Sequence, residues 1–244
     1  MPSRIFFFSD IDDTLIQTRR KTNFNKSTVV GAYNKEGDEN SFFYEGTKVL
    51  IDALLESNIN FIPTTARNLD SYKRTTLYNE KAIRYAILNF GGTILVNNKV
   101  DILWEKQIKE QYSKITPMPY IYDDLLTKLS KDNLNLVIKI IDNFYISIYN
   151  KYHLDDEDYL KNIKDKLQIF LQTNTDFYLY ENNNSFAILP IFLNKKFAVK
   201  YLIEKDKPIL TMGAGDNISD LDFMNITSFH VIPHGSSIHS LYTK

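Results

Sequence analysis

Three carboxylates lie within four positions near the start of the chain. Asp10, Asp12 and Asp13 follow a short apolar run at residues 5–8, and Thr14 comes directly after them. Mutual repulsion and desolvation make this arrangement costly unless a cation or a shared proton offsets the charge. The stretch therefore predicts a bound cation at the end of a buried strand.

Three further polar segments stand at the end of a predicted strand or the start of a predicted helix. They are PTTAR at 63–67, LNKK at 193–196 and GAGDNISD at 213–220. Ligands of open α/β sheets bind beyond the carboxyl ends of the parallel strands. We therefore expect these segments to converge with the acidic stretch on one site.

Alternating strands and helices must position these segments. Apolar runs predict buried strands at 5–8, 59–63, 85–89, 209–213 and 229–232. Helical spacing of apolar residues predicts helices in 45–58, with Val49, Leu50, Ala53 and Leu54 on one face, and in 195–206. This alternation predicts an α/β fold whose parallel sheet is covered on both faces.

The middle of the chain has a different pattern, in which a helix and two strands occur twice. The predicted helices are 120–131 and 155–172, and the predicted strands are 134–141, 143–152, 176–181 and 185–190, with turns at 142–143 and 182–184. This predicts an antiparallel sheet with helices on one face, inserted as residues 106–190 into a core of residues 1–105 and 191–244. Residues 18–44 form a predicted loop or hairpin with NKEGDEN at its tip.

Composition excludes several classes of function. Lys plus Arg total 29 against 30 for Asp plus Glu, so no global basic field exists to hold a nucleic acid or an anionic membrane. The absence of cysteine excludes disulfides, thiolate catalysis and cysteine-based metal sites. No apolar run has the length of a membrane span, so we expect a cytoplasmic protein.

Together, DIDDT, PTTAR, LNKK and GAGDNISD resemble the four motifs of the haloacid dehalogenase-like (HAD) phosphatase superfamily. NFGG at 89–92 resembles the Asn-Gly strand end of members with a large cap, and FAILP with LNKKFAVKYLIE resembles the sucrose-phosphatase and Cof-type sugar-phosphatase branch. The resemblance spans nearly the whole chain. It implies a Rossmann-like doubly wound parallel sheet core with an inserted α+β cap domain that contacts the substrate.

The resemblance also implies a Mg²⁺-dependent phosphatase with an aspartyl-phosphate intermediate. Asp10 would attack phosphorus, and Asp12 would act as general acid and then general base. Mg²⁺ prefers hard oxygen ligands and would be held by Asp10, the backbone carbonyl of Asp12, and Asp216, with support from Asp220.

Thr65 and Lys195 complete the catalytic set that the resemblance implies, because both can donate to phosphoryl oxygens where charge develops. The family's Thr-Gly-Arg aligns with Thr65 rather than Thr64. Counting back from Ala198 selects Lys195 rather than Lys196. The predicted substrate contacts are Thr14, Arg67, Asn89 and Asn217.

Other interpretations of the same residues fit less well. An EF-hand would need glycine at Leu15 and glutamate at Lys21, and a dinucleotide loop would need its third glycine at Ile218. His230 and His234 are four residues apart but straddle a proline, which disfavours a zinc pair. Tyrosines on the predicted strands of the insertion either pack half-buried or line a sugar pocket; these are Tyr145, Tyr149, Tyr178 and Tyr180.

We therefore expect a phosphomonoesterase that acts on a small phosphorylated metabolite, a sugar or polyol phosphate, as a monomer or homodimer. Nucleic acids and membranes are not expected partners. Two alternatives stay open: a phosphomannomutase-like phosphotransferase, and a non-catalytic binding or regulatory module on the same fold.

Overall fold

The computed structural model describes residues 5–19, 21, 29–44, 46–130, 134–150, 156–182 and 185–243. The strands are β1 (Ile5–Ser9), β2 (Ile16–Thr18), β3 (Val30–Tyr33), β4 (Glu39–Phe43), β5 (Ile59–Pro63), β6 (Tyr85–Leu88), β7 (Thr93–Val96), β8 (Lys99–Val100), β9 (Leu136–Ile141), β10 (Tyr145–Asn150), β11 (Phe177–Asn182), β12 (Ser185–Pro190), β13 (Leu210–Ala214) and β14 (Phe229–Val231). The helices are α1 (Thr47–Glu56), α2 (Leu69–Lys73), α3 (Ile102–Tyr112), α4 (Met118–Leu129), α5 (Glu157–Gln172), α6 (Lys195–Asp206) and α7 (Leu221–Met224).

These elements group into two compact units. One comprises Met1–Glu105 together with Asn194–Lys244, and the other comprises Lys106–Leu193. We call them the parallel-sheet unit and the inserted unit. None of the helices in the described ranges combines the length and the apolar character that crossing a bilayer requires.

The parallel-sheet unit is built on a four-stranded sheet in the order β14-β13-β1-β5. All neighbouring strands run parallel, and Ile5 of β1 lies beside Leu210 of β13 and Ile59 of β5. β1 and β5 are largely buried, as Phe8 and Ile62 show, because helices cover a parallel sheet and leave its inner strands little exposure, whereas the edge strand β14 is exposed. The predicted parallel sheet is confirmed.

One predicted strand departs from the expected sheet. β6 pairs antiparallel with β7, and β7 pairs with β8, so residues 85–100 form a separate three-stranded sheet. An isolated parallel bridge joins Thr64 to Ile87. β7 follows β6 after a turn of a few residues, and a short connection permits only antiparallel pairing.

Helix α1 forms where it is predicted but uses a different face. Its buried residues are Ile51 and Leu54, whereas Val49 is 72% and Leu50 48% exposed. Residues 49–51 and 53–55 are all apolar, so more than one stripe satisfies helical spacing, and packing against the sheet decides among them.

Part of the predicted loop at 18–44 is ordered as a hairpin. β3 and β4 pair antiparallel around a turn with Gly37 at φ +91°, and β2 pairs with β4. This confirms the predicted hairpin and its tip within NKEGDEN. Residues 20 and 22–28 of the same segment lie outside the described residues.

The inserted unit is an antiparallel sheet in the order β11-β12-β10-β9 with α4 and α5 on one face. Ile146, Ile148 and Ile188 of the sheet pack with Leu125 of α4 and Leu167 of α5. This confirms the predicted architecture of the insertion.

The two predicted turns of the insertion have different outcomes. In the turn between β9 and β10, Asp142 and Asn143 have φ +47° and +60°, the two left-handed residues of a type I′ turn. The prediction at 142–143 is confirmed. Of the turn predicted at 182–184, Asn183 and Asn184 lie outside the described residues.

Candidate active site

The ends of three parallel strands bring the predicted segments together. Asp10 follows β1, and its backbone N–H donates to the carbonyl of Ala214 at the end of β13, at 2.9 Å. The N–H of Thr64, which follows β5, donates to the carbonyl of Ser9 at 2.7 Å. DIDDT, PTTAR and GAGDNISD therefore leave the same edge of the sheet.

Three carboxylates form a compact cluster at this edge. One side-chain oxygen each of Asp10, Asp216 and Asp220 lies within 4.8 Å of the others. Asp220 is 2% and Asp10 7% exposed. Burial raises the pKa of Asp10 well above its usual range although Lys195 pulls it down, and burial with the Asp220 charge raises the pKa of Asp216 to about 6.

Lys195 partly offsets the charge of this cluster. Its Nζ donates to Asp10 Oδ1 at 2.7 Å and to Asp220 Oδ1 at 2.8 Å, and the residue is buried. Lys195 is the first residue of α6, whose N-cap Asn194 accepts from the backbone N–H of Lys196. A buried lysine is stable only when anions or acceptors pair with it, and here two carboxylates do so.

Thr14 connects two members of the cluster. Its hydroxyl lies 3.0 Å from Asp216 Oδ1 and 3.3 Å from Asp10 Oδ2, so it can donate to either carboxylate. Thr14 is buried. The hydroxyl therefore helps to fix both carboxylates within a site of low polarity.

The 213–220 segment is shaped by a capping box and a close approach. The side chain of Asn217 accepts from the N–H of Ser219, and Asp220 Oδ2 accepts from the N–H of Asn217. A Cβ on Gly215 would lie 2.4 Å from the Cβ of Asp220. Only glycine allows the chain to pass this close to Asp220, so Gly215 is required for the position of that carboxylate.

Asp12 lies apart from the cluster and is paired with Arg67. Arg67 Nε and Nη2 donate to the two oxygens of Asp12, both at 2.7 Å, and Nη1 donates to the Ser71 carbonyl at 3.1 Å. The Asp12 side chain is 47% exposed. Burial alone would lower the pKa of Arg67, but Asp12 outweighs it and the pKa is raised. This is a bidentate fork, the strongest geometry for such a pair.

Thr65 and Asn89 are both buried. Thr65 Oγ1 accepts from the N–H of Arg67 at 3.1 Å, which leaves the hydroxyl proton available to a ligand. Asn89 Nδ2 lies 3.3 Å from Thr93 Oγ1, and its buried Oδ1 has no hydrogen-bond partner among the described residues. The side chains of Asn89 and Asn217 thus bond within their own turns rather than to the carboxylate cluster.

Comparisons with known proteins identify the fold that carries this cluster. No protein-family model and no curated protein sequence matches the chain. Solved structures do match, among them a sucrose-phosphatase from Synechocystis in complex with sucrose and phosphate, at 16% identity, TM-score 0.62 and coverage of 98% of this chain and 86% of that one. The chain therefore has the same fold as this sucrose-phosphatase.

Two further structures show how widely the HAD-like fold is shared. A HAD subclass IIB sugar phosphatase has 12% identity and TM-score 0.58, with 93% of each chain covered. An IMP-nucleotidase from Plasmodium falciparum, bound to IMP, has 12% identity and TM-score 0.59, with 93% of this chain and 64% of that one covered. The parallel sheet with its separate antiparallel insertion therefore corresponds to a Rossmann-like core with a cap, as predicted.

The donor set at the sheet edge of this HAD-like fold fits a magnesium ion. Asp10 and Asp216 present hard carboxylate oxygens close together, which is the ligand type that Mg²⁺ requires. Asp220 already accepts from Lys195 and from the N–H of Asn217. The geometry therefore suits Asp10 and Asp216 as direct ligands and Asp220 as the group that holds Lys195 beside them.

Two residues near the motifs were missed by sequence reasoning. The hydroxyl of Tyr44 donates to the backbone carbonyl of Asp13 at 2.7 Å, and Asp13 has φ +63°. The indole N–H of Trp104 donates to the carbonyl of Gly91 at 2.9 Å. Both bonds join segments distant in sequence, and no local pattern of residue types indicates either.

Proposed function

We propose that the protein is a Mg²⁺-dependent phosphomonoesterase that acts through an aspartyl-phosphate. One observation carries the proposal: Asp10, Asp216 and Asp220 share a buried cluster with Lys195 where three parallel strands end. Buried charge of this density is costly to keep, and active sites are where such arrangements concentrate.

In this proposal Asp10 is the nucleophile. One oxygen of Asp10 forms a bond to phosphorus while the bond between phosphorus and the ester oxygen breaks. Asp12 donates a proton to that ester oxygen. Asp12 then takes a proton from water, which attacks phosphorus and releases phosphate and the Asp10 carboxylate. A Mg²⁺ ion held by Asp10, Asp216 and the Asp12 carbonyl would offset the negative charge shared by the nucleophile and the phosphate dianion.

The remaining residues orient the phosphoryl group. Lys195 and Thr65 would donate to its oxygens, and Thr14 would hold Asp10 and Asp216 in place. Arg67 now donates to both oxygens of Asp12, so protonation of Asp12 requires one of these bonds to open. An N–H released in this way could contact the substrate, and Asn89 and Asn217 are the further proposed substrate contacts.

We propose a sugar or polyol phosphate as the substrate class. Structures similar to this chain include a sucrose-phosphatase and a sugar phosphatase, although an IMP-nucleotidase is also among them. In the inserted unit, residues that alternate with the core positions Ile146 and Leu179 point to the sheet face away from the helices. These include Tyr145, Tyr149, Tyr178 and Tyr180, and tyrosines suit sugars through ring stacking and hydroxyl bonds.

The proposal divides the work between the two units. The parallel-sheet unit would carry the chemistry and the inserted unit would select the substrate. The cytoplasmic location and the monomeric or homodimeric state stay predictions.

Hydrolysis of p-nitrophenyl phosphate with and without Mg²⁺ tests the reaction class. We expect turnover that requires the metal and that Asp10→Asn reduces by at least about a thousandfold, because the nucleophile is lost. Circular dichroism of the variant should match that of the wild type. Turnover by Asp10→Asn at the wild-type rate would refute the assignment.

A panel of phosphorylated sugars, polyols and nucleotides then identifies the substrate class. Single-turnover product analysis separates a phosphatase from a phosphomannomutase-like enzyme, which returns the phosphoryl group to a sugar hydroxyl rather than to water. A chain that binds Mg²⁺ and a metabolite but turns over no ester would instead be a regulatory module.

A further inference from the structure

The turn at residues 89–92 has an unusual backbone. Asn89, Phe90 and Gly91 have φ +52°, +54° and +95°, three left-handed residues in succession. The left-handed region is unfavourable for residues with a Cβ, so asparagine and phenylalanine stay there only when their surroundings hold them. Contacts with two other segments of the chain hold this turn in its conformation.

The turn lies between two of the proposed site segments. On one side, the N–H of Asn89 donates to the Arg67 carbonyl at 2.9 Å and that of Phe90 to the Thr65 carbonyl at 3.2 Å. On the other side, a Cβ on Gly91 would lie 2.6 Å from the Asn194 carbonyl oxygen and 3.3 Å from the Cα of Lys195. The backbone of Gly91 therefore packs directly on the first residues of α6.

Trp104 holds this contact in place. Its indole N–H donates to the Gly91 carbonyl at 2.9 Å, and its ring centroid lies 5.0 Å from that of Tyr201 in α6. Trp104 is buried, and its backbone N–H donates to Asp101 Oδ1 at 3.2 Å. Lys205 of α6 donates to Asp101 Oδ2 at 2.6 Å. Trp104 is thus bound both to the turn and to the helix on which the turn packs.

We propose that Trp104 is a positioning residue for Lys195. By fixing the Gly91 carbonyl, it sets the 89–92 turn against the start of α6 and so places the Lys195 ammonium between Asp10 and Asp220. This role rests on the proposed phosphatase function, in which Lys195 donates to the phosphoryl group. Trp104 itself contacts neither the carboxylates nor any proposed substrate group in the described contacts.

A small displacement at the start of α6 is enough to matter. The Lys195 ammonium makes two hydrogen bonds of 2.7 and 2.8 Å to carboxylates, and both lengthen if its backbone moves. A misplacement of about 1 Å in a catalytic group can cost about a hundredfold in rate. Loss of the indole N–H should therefore lower the reaction rate by displacing Lys195.

The first test is Trp104→Phe, which keeps an aromatic ring and removes the N–H. We expect kcat for p-nitrophenyl phosphate to fall about ten- to a hundredfold while KM changes less than about threefold. Inhibition by orthovanadate, which mimics the five-coordinate phosphorus, should weaken by a similar factor to kcat because Lys195 would contact it. A merely structural loss would lower the fraction of active protein. The kcat per active molecule and the inhibition constant of orthovanadate would then stay unchanged.

A second substitution removes the N–H alone. Trp104 is the only tryptophan of the chain, so biosynthetic replacement of tryptophan by β-(3-benzothienyl)alanine changes this position and no other. The analogue has the shape of the indole ring but sulfur in place of N–H. We expect the same fall in kcat as for Trp104→Phe, even if that variant folds poorly.

Tyr85→Phe is the matched control. The Tyr85 hydroxyl donates to Asp206 Oδ2 at 2.7 Å. This variant therefore also removes one hydrogen bond of a buried aromatic side chain, but at the far end of α6 rather than at the turn that packs on its start. We expect kcat and vanadate inhibition to stay within about twofold of wild type, because the start of α6 is not disturbed.

Hydrogen exchange separates this inference from the proposed function. We expect faster amide exchange at residues 90–92 and 195–198 in both Trp104 variants and not in Tyr85→Phe. If the wild type hydrolyses no ester, the proposed function fails while exchange still tests the positioning. Unchanged exchange, or changed exchange with wild-type kcat, would overturn the role of Trp104.

Discussion

Asp216 is the residue at which charge and stability conflict most clearly. Burial, and then the nearby Asp220 charge, raise its pKa to about 6. The folded chain therefore binds this proton more tightly than the unfolded chain, whose aspartate pKa is near 4. The stability gained from protonation is complete at low pH and is lost as pH rises from about 4 to 6.

We predict that Asp216→Asn stabilises the metal-free protein at pH 7 by about 2 kcal/mol, because asparagine resembles the neutral acid. Urea unfolding in the presence of a chelator measures this difference. Most of it should disappear at pH 4.5, where wild-type Asp216 is protonated when folded. A variant less stable than wild type at pH 7 would contradict the prediction.

Magnesium should reverse the order of stability. A ligand that binds only the folded state stabilises it by mass action, so Mg²⁺ should raise the melting temperature of the wild type more than that of Asp216→Asn. The variant should also lose turnover. Greater stability with less activity is the expected exchange at a site built from crowded charges.

The sequence predicts the members of the site better than their partners. The resemblance of four segments to the HAD phosphatase motifs is enough to select Asp10, Lys195 and Asp216, and the structure brings their side chains to one cluster. The sequence does not predict that Arg67 donates hydrogen bonds to both oxygens of Asp12. That pairing depends on side-chain directions that only the folded loops determine.

At the scale of elements, the segment after β13 depends on glycine. We predict that Gly215→Ala lowers both stability and kcat, because the new Cβ would lie 2.4 Å from the Cβ of Asp220 and displace the carboxylate that holds Lys195. Overpacking of this kind costs about 1–3 kcal/mol. Thermal unfolding and steady-state kinetics on the folded fraction measure the two effects.

Gly213→Ala, two residues earlier and inside β13, is the control. Its Cβ would lie 2.9 Å from Thr227 Oγ1 and 3.1 Å from the Cα of Met224, neither of which belongs to the proposed site. We expect a comparable loss of stability with little change in kcat. An equal fall in kcat for the two variants would mean that position 215 has no special link to the chemistry.

Most elements were predictable from periodicity, and the two errors have different origins. β11 and β12 form within one residue of their predicted limits because turn residues bound short apolar runs. The pairing of β6 with β7 was missed because no strand was predicted at residues 93–96, although the short connection between them requires antiparallel pairing. The face of α1 was not predictable, because it depends on the sheet against which the completed fold packs this helix.

For the whole molecule, the two units have separate cores. The core of the inserted unit is formed by α4, α5 and the four strands of its own sheet. We predict that residues 102–193, produced alone, fold and unfold in one cooperative transition with helical circular dichroism, because a domain with its own core can fold independently. A gradual, non-cooperative melt would show that this core depends on the rest of the chain.

The register of β1 constrains the order in which the molecule can assemble. β1 lies between β5 and β13, and Ile5 is paired with Leu210. During synthesis the ribosome releases β1 and β5 long before β13, and the inserted unit emerges between them. One edge of β1 therefore stays unpaired by its native neighbour, and open to pairing with another chain, until β13 has been synthesised. A nascent chain on a ribosome stalled before residue 210 would lack a complete proposed active site.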